Sequence, residues 1–162
     1  MTASTTTETM PERLHYARTS PGAYHAMLGL EKYLHECGLE PALIHLVKMR
    51  ASQINKCAYC LDMHSKDLRA IGETEQRIYT LEAWRECPWY TDRERAALAW
   101  TEAVTLIADG QAPDAVYEEV QPHFTEKELA DLTVAIATIN VWNRLSIAGR
   151  STPGTYEVNR KS

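Results

Sequence analysis

Two cysteines three residues apart, Cys57 and Cys60, and a histidine four residues after the second, His64, stand in the stretch NKCAYCLDMHSKDL over residues 55–68. A helix through them turns Cys60 about 60° from Cys57 and His64 about 20° to the same side, so all three point from one face. A C-x-x-C pair at a helix start suits disulfide exchange, because the unpaired N–H groups of the first turn stabilise a thiolate and the spacing lets the sulfurs join. The thiolate is a nucleophile toward a peroxide oxygen or a disulfide. His64, one turn beyond Cys60, is placed to take its proton or to pass one to a departing oxygen. The same residues also admit a metal: His45, Cys57, Cys60 and His64 supply the two nitrogens and two sulfurs of a structural zinc if the preceding helix brings His45 close. Leu61, not histidine, follows Cys60, which excludes covalent haem attachment.

With 162 residues, 44% hydrophobic and 24% charged, the chain is long enough for one buried core and short for two. The formal net charge is −5, with no cluster of Lys and Arg interleaved with aromatics, which argues against a nucleic-acid partner. The opening MTASTTTETMPERLHYARTS lacks a basic start followed by an apolar run, and LTVAIATINVW is too short and too often interrupted to span a bilayer. A cytoplasmic protein without membrane contact is expected. In that compartment four cysteines argue against structural disulfides, leaving metal binding or redox cycling for the close pair.

Punctuation by Gly, Pro and capping residues divides the chain into helices, and no stretch alternates strictly as a strand does. The first helix is expected over 21–37, with Ser20 as cap, Pro21 at its first position and Gly38 as its stop. EPALIHLVKMRASQIN follows, apolar nearly all round except on a strip of His45, Lys48 and Ser52, and Asn55 is expected to end it. The cysteine helix runs over 57–71 to Gly72, and Thr74 opens the next. Thr91 with Glu94 and Thr125 with Glu128 fit the capping box, starting helices that end near Gly110 and at Gly149, with a short one after Pro113 between them. The expectation is an all-α chain of about seven helices: a flexible tail over 1–19, a helical domain over 20–150 and an irregular tail over 151–162. Four tryptophans and a nearly all-apolar second helix offer more apolar surface than so few short helices cover, which predicts a homo-oligomer. Asn140 and Asn143 read as amides bonded across helices. Tyr24, His25 and Met27 read as core-packed or as lining a site entrance. Cys37 and Cys87 lack a histidine on the same face and read as inert.

LIHLVKMRASQINKCAYCLDMHSKDLRAIGE, ERAALAWTEAVTLI and LTVAIATINVWNR together resemble the alkylhydroperoxidase AhpD-like group of the carboxymuconolactone decarboxylase family, over most of residues 20–150. The resemblance implies an all-α AhpD-like fold assembled as trimers or hexamers. It also implies a cofactor-free peroxidase or disulfide reductase acting on a small hydroperoxide or disulfide and reset by an external dithiol, such as a lipoyl or thioredoxin-like donor. By the same resemblance Cys60 attacks peroxide, Cys57 resolves the sulfenic acid and His64 matches the family's histidine. His45 stands where the family has a catalytic glutamate, twelve positions before the first cysteine, and Tyr59 stands where the best-known peroxidases have a histidine. The alternatives are a zinc-binding helical protein and a lactone decarboxylase, the latter with no need of a C-x-x-C.

Overall fold

Two threonines start two of the core helices by the same device. Thr91 Oγ1 accepts from Glu94 N at 3.2 Å while Glu94 Oε2 accepts from Thr91 N at 2.8 Å, and Thr125 and Glu128 repeat both bonds at 3.2 and 2.8 Å. Each box satisfies backbone donors that the first helical turn leaves open. A computed structural model describes residues 10–158, and the described residues contain helices and no strand. In chain order these are α1 (Tyr16–Thr19), α2 (Pro21–Glu36), α3 (Pro41–Asn55), α4 (Ala58–Ala70) and α5 (Glu75–Thr80), which a 3₁₀ turn (Leu81–Ala83) continues. Then come α6 (Asp92–Thr105), α7 (Ile107–Gly110), α8 (Asp114–Val120), a 3₁₀ turn (Gln121–His123) and α9 (Glu126–Gly149). The expected all-α fold is therefore present. The helices beyond the expected seven are short ones: α1 is a single turn, and α7 arises because Leu106 leaves helical values (φ −94, ψ 35) where one helix was expected to reach Gly110. Residues 1–9 and 159–162 of the expected tails lie outside the described residues.

Two local expectations are corrected. Ser20 precedes α2, but its side chain makes no capping bond. The left-handed residue that ends α3 is Lys56 (φ 58), not Asn55. Asn55 is engaged elsewhere: its Nδ2 donates to Oδ1 of Asn140 and of Asn143, each at 2.9 Å, and Asn143 Nδ2 donates to Ser52 Oγ at 3.0 Å. This amide bridge clamps the end of α3 to α9, and buried amides satisfied in this way hold two helices in one register.

The helix α3 is central, packed against α4, α6 and α9. Leu43, Ile44 and Val47 enter a cluster with Ala97, Trp100, Leu132 and Ile136, while Leu46 and Met49 enter a second with Leu68, Leu81, Trp84 and Leu98. A helix buried on opposite faces must be apolar nearly all round, as its sequence is. A third cluster, Ala51, Cys57, Cys60 and Ile139, lies where α3, α4 and α9 meet.

Candidate active site

Because Lys56 turns the chain sharply, α4 starts directly beside the end of α3, with Cys57 as its N-cap. Cys57 is extended (φ −87, ψ 98), and its Sγ accepts from Cys60 N at 3.4 Å. Cys57 and Cys60 are joined in a disulfide, their Cα atoms 5.4 Å apart. Both are buried, but Cys60 lines a cavity of about 580 Å³ and Cys57 does not.

Past Cys60, the same face of α4 carries His64 and Asp67 at the spacing of successive turns, and α3 adds His45 from across the groove. Oδ2 of Asp67 lies 3.8 Å from His64 Nδ1 and 3.9 Å from His45 Nδ1, and the imidazole centroids are 5.8 Å apart. Neither Nδ1 has a hydrogen-bond partner, although both are buried. The other oxygen of Asp67, Oδ1, accepts from Tyr156 Oη at 2.7 Å.

Burial pushes His64 well below the ordinary histidine value, and the nearby Lys48 and His45 push it the same way. His45 is also lowered by burial, partly offset by the Asp67 carboxylate. Both rings are therefore neutral near pH 7 and able to accept a proton. Burial, then the hydrogen bond to Asp67, raises the Tyr156 phenol, which stays protonated and a donor. Lys48, only 4% exposed, is paired with Glu31, whose Oε1 accepts from Trp142 Nε1 at 2.9 Å.

The cavity has an apolar wall of Tyr24, Leu28, Met63, Ile139, Trp142 and Leu145 and a polar end formed by Cys60, His45, His64, Asp67 and Lys48. Residues from both ends of the chain complete it, among them Leu14 and Tyr16 on one side and Thr152 and Thr155 on the other. The first segment is held by Arg13 N and Leu14 N donating to Gly149 O at 2.8 and 3.3 Å. The second is held to α4 by Lys66 Nζ donating to Tyr156 O at 2.9 Å and by Gly154 N donating to Asp62 Oδ2 at 3.0 Å.

Residues 21–103 match the model of the carboxymuconolactone decarboxylase family. The chain belongs to that family. It is 44% identical over 139 residues to the uncharacterized protein YdfG of Bacillus subtilis, a match that covers 86% of this chain and 95% of the relative. A crystal structure from Agrobacterium tumefaciens, of a protein of unknown function named as a candidate antioxidant defence protein AhpD, superposes with a TM-score of 0.87 at 46% identity. That match covers 90% of this chain and all of the other. An uncharacterized peroxidase-related protein with an alkylhydroperoxidase AhpD core, from Ralstonia eutropha, shares the fold at a TM-score of 0.75 and 20% identity, covering 86% of this chain and 74% of that one. The debrominase Bmp8 does so at 0.72 and 19%, covering 83% and 73%.

In this AhpD-like member of the carboxymuconolactone decarboxylase family, Cys57, Cys60, His64 and His45 come together in one place. The four-ligand zinc set drawn from those residues is not assembled, since the two sulfurs are bonded to each other; the described group able to hold an ion is His45, His64 and Asp67. Asp67 escaped the sequence reading although it carried a signal, lying three positions after His64 on the cysteine face. Tyr156 carried none, because it arrives from a segment without periodicity. Asn140 and Asn143 bond across helices as expected. Of the first-helix candidates Tyr24 lines the cavity, whereas His25 is exposed. Cys37 and Cys87 carry free thiols. No helix among the described residues is long and apolar enough to cross a membrane.

Proposed function

We propose that the chain is a cofactor-free thiol peroxidase or disulfide reductase of antioxidant type. The observation that carries this reading is the Cys57–Cys60 disulfide with only Cys60 facing the cavity that holds both histidines. The antioxidant name carried by the Agrobacterium relative supports it. His64 or His45 takes the Cys60 thiol proton, the thiolate attacks one peroxide oxygen, the O–O bond breaks, and the departing alkoxide receives that proton to leave as an alcohol. Cys60 is then a sulfenic acid. The Cys57 thiolate attacks the Cys60 sulfur, the disulfide forms, and hydroxide leaves and is protonated to water. An external dithiol, lipoyl or thioredoxin-like, returns two electrons and becomes a disulfide itself.

Asp67 enters this scheme as a positioning residue. Its carboxylate faces both Nδ1 atoms, so it favours the tautomers with the proton on Nδ1 and leaves the other ring nitrogen of each histidine basic. The test is thiol titration of reduced protein before and after one equivalent of peroxide. Loss of two thiols per chain with one alcohol released supports the reading. Four thiols remaining overturns it.

A further inference from the structure

The two unpartnered Nδ1 atoms admit a second use that needs neither cysteine. Buried polar side-chain atoms are normally hydrogen-bonded, and His64, 5% exposed, leaves its Nδ1 without a partner while aiming it at a carboxylate oxygen that His45 Nδ1 also faces. A tetrahedral ion with bonds of about 2.1 Å holds its ligand atoms about 3.4 Å apart. The two nitrogen-to-oxygen separations here, 3.8 and 3.9 Å, are within about half an ångström of that, and His45, His64 and Asp67 each bring one ligand atom within 4.8 Å of the others. Tyr156 occupies Oδ1 of Asp67 and orients the carboxylate with Oδ2 toward the histidines, the outer-sphere contact that commonly fixes a carboxylate ligand. The ammonium of Lys48, which also lines the cavity, is neutralised by Glu31 and does not leave a bare cation beside the site.

We infer that His45, His64 and Asp67 form a binding site for one divalent transition-metal ion, taken through the two Nδ1 atoms and Asp67 Oδ2, with its remaining position open to the cavity. Two imidazoles and one carboxylate are a borderline donor set that suits Zn²⁺ and Co²⁺ and disfavours Ca²⁺ and Mg²⁺, which prefer all-oxygen ligands. The site is distinct from the His45, Cys57, Cys60, His64 set that the sequence suggests, and it is complete while the disulfide is closed.

The test uses the full chain, oxidised so that neither cysteine can ligate and treated first with a chelator. Titration with Zn²⁺ by calorimetry, and with Co²⁺ by visible absorption, should give one ion per chain, with Mg²⁺ giving no heat. Asp67→Asn and His64→Gln should each weaken Zn²⁺ at least tenfold. His45→Gln, at the more open of the two rings, keeps the test available if replacing the buried His64 unfolds the chain. Absence of stoichiometric Zn²⁺ binding to the oxidised wild-type protein overturns the site, as does unchanged affinity in His45→Gln and Asp67→Asn together. The readout involves no peroxide, so a failed peroxidase assay and a failed metal titration are separate results.

Discussion

The hydroxyl of Tyr156 donates to Oδ1 of Asp67 at 2.7 Å across 89 positions of sequence, so a residue of the C-terminal segment holds the carboxylate that both cavity histidines face. Tyr156→Phe removes one hydrogen bond to a charged group at a half-buried site and is expected to cost about 1 kcal/mol, below the range for fully buried cases. If Asp67 positions the imidazoles, the variant also slows the reaction of Cys60 with peroxide by roughly tenfold, less than the ~10²-fold or more expected on removing a proton-transfer group. Urea unfolding and single-turnover peroxide kinetics measure the two effects. Equal rates in wild type, Tyr156→Phe and Asp67→Asn would remove Asp67 from the mechanism.

Mild peroxide is expected to join Cys57 to Cys60 and to leave Cys37 and Cys87 reduced, which peptide mapping of the oxidised chain reads directly. Cys60 faces the cavity and Cys57 lies behind it, so Cys60→Ser should abolish peroxide consumption. Cys57→Ser should permit one attack and then stall as a sulfenic acid open to overoxidation. Equal single-turnover consumption by both variants contradicts these roles.

The helical architecture and much of the site were legible because they rest on local signals. Capping boxes at Thr91 and Thr125 are one-turn motifs, and Cys60 and His64 share a face by spacing within one helix, whereas Cys57, expected on that face, is the extended N-cap and stays out of the cavity. From the residues alone His45 is legible as a candidate metal ligand, and its proton-transfer role only as what the family resemblance implies; the sharp turn at Lys56 is what folds α3 back beside the cysteines. The cavity walls were not legible. Residues near both chain ends have no periodicity, and their positions depend on backbone bonds to Gly149 and on side chains of α4, which no local pattern encodes.

Gly149 tests one of those walls. A Cβ there would lie 2.8 Å from Leu14 O and 2.9 Å from Tyr16 Cε2, so Gly149→Ala must push the N-terminal segment away from α9. The expected cost is about 1–3 kcal/mol, as for overpacking of a close contact. Limited proteolysis should cut before residue 20 faster than in wild type while the disulfide helix stays protected. Unchanged stability and unchanged cleavage would mean that the segment does not depend on this contact.

The chain is expected to form a homo-oligomer, a trimer or a hexamer. Leu28 and Tyr33 on α2 and Val141 and Ile147 on α9 are large apolar or aromatic side chains left exposed on helices that pack against each other. Light scattering at micromolar concentration should give a multiple of the chain mass, and Val141→Glu should lower it by placing a charge in a dry contact. A wild-type protein of 18.3 kDa in solution would contradict the expectation.

A proton-transfer role for His45 would show in the pH dependence. Burial lowers its pKa below 6.5, so the neutral ring that accepts a proton persists to mildly acidic pH. Activity carried by His45 should therefore be flat from neutrality down to about pH 6.5 and fall only as pH drops through the lowered value. Stability has the same sign: the folded protein binds fewer protons at His45 and His64 than the unfolded chain, so the stabilising difference is full above about pH 6.5 and shrinks progressively below it. His45→Glu should keep activity and move the acid limb, because a carboxylate must lose its proton to serve as base and burial beside Asp67 raises the pH at which it does so. His45→Ala should slow peroxide attack by about 10²-fold or more with little loss of stability, since the ring borders an open cavity and its removal leaves no sealed void. Rate against pH for the three proteins, with chelator present, distinguishes the roles. Identical rates and identical profiles in all three would remove His45 from the scheme and leave His64 as the candidate base.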